Sequence, residues 1–154
     1  STCDGSTSTV DTKLYGNVMT MLYYSSIGSY DAKTGNCTTP ATPTHLVTTT
    51  VPVDTCTPTS TFSDTANVFS GISCSSSYSH KQDTAAIFGS KAYVIVEKYI
   101  LLLSNSKLSS IAAYLADGKC HMTGLSASYA ATRAADGSAM IKIYADSATC
   151  ATAG

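Results

Sequence analysis

This sequence predicts a mainly β protein: an antiparallel sandwich or jelly-roll-like domain, stapled by disulfides, with room for one short helix. Three observations predict it. Short β-branched and aromatic runs recur between turn-forming residues. Six cysteines (Cys3, Cys37, Cys56, Cys74, Cys120 and Cys150) form an even set with no C-x-x-C pair, as in a disulfide framework built in an oxidising compartment. All four prolines (Pro40, Pro43, Pro52 and Pro58) fall in residues 34–65, where 13 residues are threonine. Proline removes a main-chain donor and restricts its predecessor, so helix is excluded there.

Residues 1–12 are small and polar and read as an N-terminal arm, with Cys3 as an anchor. Residues 13–154 read as one β-rich domain. At 154 residues in all, the chain is long enough for a real core. In the first apolar block, Val18, Thr20, Leu22 and Tyr24 share one face of a strand. Leu14, Val18, Met21 and Leu22 fit a helix nearly as well.

Within the Thr/Pro segment, His45–Val51 is β-branched and reads as an edge strand, the alternative being an extended stapled loop. Asn36-Cys37-Thr38 fits the N-glycosylation pattern at Asn36, and the Thr/Pro composition resembles O-glycosylated stalks. Residues 66–92 alternate short apolar pieces with serine clusters.

Ala92–Tyr99 is the strongest strand, with Val94, Val96 and Lys98 on one face and Tyr93, Ile95, Glu97 and Tyr99 on the other. Residues 104–120 read two ways. Leu108, Ile111, Ala112 and Leu115 fit a helix stopped by Gly118; Ile111, Ala113 and Leu115 fit a strand leading into an Asp117-Gly118 turn. At the end, Ser126–Ala134, Asp136-Gly137 and Ala139–Ala145 read as a β-hairpin.

Charge narrows the function. Charged residues are only 12% of the chain and the net charge is −1, about half the charged fraction of an ordinary soluble protein. Hydroxyls take their place, with 23 Ser and 23 Thr. The nine Lys and Arg are scattered, which argues against a nucleic-acid or anionic-membrane partner. The longest apolar run, Tyr99–Leu103, is too short to span a membrane. The chain opens at Ser1 with no apolar leader, as expected of a secreted protein after signal-peptide removal.

No catalytic set emerges. Cys120-His121 reads as a bridge cysteine beside an ordinary histidine. His45, His80 and His121 lack the spacing of metal ligands. Glu97 is the only glutamate and reads as a solvated residue or an ion-pair partner rather than half of a glycosidase pair. There is no G-x-S-x-G and no phosphate loop. No cofactor or metal is expected. Ten tyrosines with no tryptophan suit sheet packing, sugar contact or subunit interfaces.

The stretch Ala112–His121, with Asp136-Gly137-Ser138 and Tyr144-Ala145-Asp146-Ser147 before Cys150, resembles segments of uncharacterised secreted cysteine-containing proteins of water moulds and related microbes. In composition the whole chain resembles subunits of extracellular glycoprotein fibrils. Both resemblances imply an extracellular protein, and neither supplies an activity. The expectation is a secreted structural subunit that self-associates into a filament or matrix through strand edges, using the 1–12 arm or the 44–53 segment. The alternative is a secreted module that binds glycans or a cell surface. A secreted hydrolase is a third.

Overall fold

The computed structural model describes residues 13–24, 30–31, 36–37, 42–58, 69–101, 103, 106–123, 127–145 and 150, with the backbone alone at 30–31, 36–37 and 69. Cys3 and the 1–12 arm lie outside the described residues, as do the side chains of Asn36 and Cys37.

The elements in order are β1 (Lys13–Tyr24), β2 (Tyr30–Asp31), β3 (Asn36–Cys37), β4 (His45–Thr50), β5 (Phe69–Ser79), α1 (Gln82–Phe88), β6 (Tyr93–Leu101), β7 (Ser106–Leu115), β8 (Asp117–Met122), β9 (Ser128–Arg133) and β10 (Ala139–Tyr144). A five-stranded sheet runs β5-β1-β4-β7-β6, a three-stranded sheet β10-β9-β8, and β2 pairs with β3. Every pairing is antiparallel. The expected antiparallel β class with one short helix is what the chain forms.

Both faces of the large sheet are used. Leu22, Leu46, Ala113 and Ile95 lie across from one another on successive strands. They belong to the main core with Leu14, Val18, Tyr78, Ile111 and the α1 residue Phe88, which stacks on Tyr93. One residue along, Tyr23, His45, Tyr114 and Val94 form the matching row on the opposite face. There Val94 and Tyr114 meet Tyr129, Ala131 and Ile141 of the small sheet. The strand period of two thus feeds two cores from one sheet.

The sheet is strongly curved. β5 and β6 are its outer strands, yet His80, just after β5, reaches Glu97 on β6 at 2.7 Å. A bulge in β1 between Tyr15 and Val18, with Gly16 at φ 104°, supplies the bend.

Three expectations need correction. His45–Thr50 is a central strand, with β1 on one side and β7 on the other. Pro43 and Pro52 flank this strand without entering it, so its own main-chain donors stay free to pair on both sides. The helical reading of 104–120 fails: β7 occupies 106–115, and the helix is Gln82–Phe88. Asp117-Gly118 does not reverse the chain. The chain leaves the large sheet at Ala116 and joins the small one, and Gly118, at φ 76°, sits in a bulge between Asp117 and Cys120.

The C-terminal hairpin matches the expectation, with Ala139 opposite Arg133 and Tyr144 opposite Ser128. Gly137, at φ 87°, takes the left-handed turn position, and Asp136 accepts hydrogen bonds from the Ser138 amide and hydroxyl. Cys56 is bridged to Cys74 and Cys120 to Cys150. Among the described residues no helix is long and apolar enough to cross a membrane.

Candidate functional site

Most of the chain's unusual chemistry gathers at two places, and strand register explains both. The first is the seam between the sheets. Tyr23, His45 and Tyr114 lie opposite one another on β1, β4 and β7, so their rings stack: Tyr23 to His45 at 4.2 Å and His45 to Tyr114 at 5.7 Å. Tyr129 meets His45 and Tyr114 edge-on. It is fully buried, and its hydroxyl donates to the carbonyls of Thr44 and Leu115.

His45 has no hydrogen-bond partner for its Nδ1 among the described residues. Burial, helped by the nearby charge of His121, pulls its pKa down to about 4, so the ring is neutral at physiological pH. Burial likewise raises the hydroxyl pKa values of Tyr23, Tyr114 and Tyr129. This seam is a packed joint of neutral rings.

Beside it, His121 Nε2 lies 2.8 Å from Asp117 Oδ1. Burial alone would raise the Asp117 carboxyl, but hydrogen bonds from His121 and the Lys119 amide, with their charges, hold it below the ordinary range. Cys120 is committed to Cys150.

The second place is the margin of β6. Glu97 accepts from His80 through Oε1 and from the Tyr99 hydroxyl through Oε2, both at 2.7 Å. The one glutamate is thus held by His80 and Tyr99 rather than freely solvated. Before Glu97, a cleft of about 370 Å³ opens between β6 and the β9–β10 hairpin, lined by His80, Lys81, Tyr93, Val94, Ile95, Arg133, Gly137 and Ala139. After Lys98, the strand is exposed and apolar: Tyr99 is 46% exposed, Ile100 53% and Leu101 88%.

Sequence reasoning did not foresee His80 and Lys81 at this margin. They precede α1, whose start is marked by Ser79-His80-Lys81-Gln82. Ser79 Oγ accepts from the Gln82 amide, and the Ser79 amide donates to the Asp83 carboxylate. The two bonds tie the segment before the helix to its first turn, with the Asp83 side chain reaching back to the Ser79 amide.

Among the described residues no three of His, Cys, Asp and Glu stand close enough to hold a metal ion. No protein-family model matches the chain, and neither a curated protein nor a solved structure matches it.

Proposed function

We propose that this chain is a structural subunit of an extracellular assembly, joined copy to copy through the far half of β6. The observation that carries this reading is the run Tyr99-Ile100-Leu101, exposed on an outermost strand of the large sheet. Unpaired edges template further pairing unless charge or proline blocks them. Here proline is absent and the last three positions are apolar, although Glu97, Lys98 and a bulge between Lys98 and Tyr99 confine pairing to that end. Burying Ile100 and Leu101 would contribute roughly 1.5–3 kcal/mol each, and main-chain bonds along the edge would add to it.

The 44–53 segment cannot serve as the paired edge, since β4 is occupied on both sides. Contact between the exposed end of β6 on one copy and a different surface of the next would be head-to-tail. Such head-to-tail contacts do not close and give a filament. The two bridges fit an oxidising compartment.

Light scattering across a concentration series, with negative-stain microscopy, tests this. The natural protein is expected to form multi-copy assemblies, and the double variant Ile100→Lys/Leu101→Lys to stay monomeric. A natural protein that remains a monodisperse monomer throughout overturns the reading.

A further inference from the structure

Tyr93, Val94 and Ile95 are successive residues of β6, yet all three line the same cleft. Successive side chains of a strand point to opposite faces, so one cleft touches all three only along the strand's margin. Among the described residues β6 pairs with β7 alone within its sheet, which leaves that margin open. The Ala116 amide donates to the Ala92 carbonyl. Alternation along an antiparallel ladder then directs the main-chain groups of Val94 toward β7, and those of Tyr93 and Ile95 outward into the cleft.

The rim is cationic. Lys81 stands on one bank and Arg133 on the other, and among the described residues no carboxylate lines the cleft. Arg133 makes no ion pair with a described residue. The neighbouring carboxylate, Glu97, is engaged by His80 and Tyr99.

We propose that this cleft is a strand-addition site for an extended acidic peptide segment. The incoming main chain bonds to the outward groups of Tyr93 and Ile95, as in β-augmentation. Its carboxylates pair with Arg133, whose planar fork suits bidentate contact. An acidic saccharide would satisfy the charges but leave the strand edge unused, so the peptide is favoured. The site stands apart from copy-to-copy assembly, which uses the other half of β6.

The test is a titration of the full chain with a synthetic seven-residue peptide alternating Asp with Thr and Val, followed by amide exchange in NMR. Binding is expected to slow exchange at Tyr93 and Ile95. Replacing each Asp by Asn in the peptide, or Arg133→Gln in the protein, is expected to weaken binding about tenfold, as for loss of a charge-assisted pair. Arg133 is exposed on β9, so its variant leaves the fold intact. No binding of the peptide, or binding that leaves the Tyr93 and Ile95 amides unprotected, overturns the proposal. So does a galacturonate oligomer that binds where the peptide does not.

Discussion

The hydroxyl of Tyr129 donates to the main-chain carbonyl of Thr44, eighty-five residues earlier in the chain. Tyr129 belongs to the small sheet, and Thr44 lies directly before the central strand of the large one. The Thr44 carbonyl also accepts from the Leu115 amide. One phenol therefore fixes how the two sheets dock. Tyr129→Phe keeps the ring and removes the donor, so a loss of about 1–2 kcal/mol is expected in urea unfolding. Tyr129→Ala also opens a cavity and should cost roughly 3–5 kcal/mol. Equal losses for the two variants would contradict this account.

His45 sets an acid limit. Its folded pKa, about 4, lies below the ordinary histidine value of 6.5, so the unfolded chain binds the extra proton first. The stability tied to the neutral ring is complete above about pH 6.5. It declines as pH falls toward 4, by roughly 3 kcal/mol in all. Asp117, whose pKa is lowered, adds a further loss in the same direction at still lower pH. His45→Phe keeps an aromatic ring in the stack and removes the unpartnered nitrogen. It is expected to flatten stability between pH 6.5 and 4, and to raise it at pH 7 by about 1 kcal/mol. An unchanged acid slope in that variant would place the sensitivity elsewhere.

The bridges reinforce particular joints. Val51 donates to the Asn17 carbonyl, and Cys56–Cys74 then carries the chain on to β5. Removing this bridge with Cys56→Ala/Cys74→Ala should cost about 3 kcal/mol, the value for a loop of this size. With Cys120–Cys150 also formed, Cys3 and Cys37 are what remain of the six. Peptide mapping without reduction is expected to find them joined within one chain. A dimer that dissociates only on reduction would assign them to the assembly instead.

Gly118 holds φ at 76° where β8 begins. A Cβ there would meet only Thr132 Cγ2, at an ordinary 3.6 Å, so the cost of Gly118→Ala is conformational. It should be about 1 kcal/mol, seen as a lower denaturation midpoint with unchanged slope. No loss would mean that the bulge relaxes.

How legible the fold was depended on where its information lies. Ala92–Tyr99 and the final hairpin declare themselves because β-branched alternation and Asp-Gly are local signals. β5 does not, since Ser73, Ser75, Ser76 and Ser77 have little strand preference. They become strand by pairing with β1, a tertiary effect. At seven residues, α1 is too short to show a helical period. β4 was misplaced at an edge because proline was counted by neighbourhood rather than by position. At the candidate sites, the Glu97 pairing was half foreseen. The stacking of Tyr23, His45 and Tyr114 was not, because it depends on the order of strands in the sheet.

The contact between His80 and Glu97 has a consequence for how the sheet comes to be curved. It joins opposite borders of a five-stranded sheet, a closure that would ordinarily await the whole architecture. Here the two borders are near neighbours along the chain, linked through α1, and the entropy of closing a short loop is small. The tie between the two borders of the curved sheet is therefore local in sequence, although the strands between those borders come from distant parts of the chain.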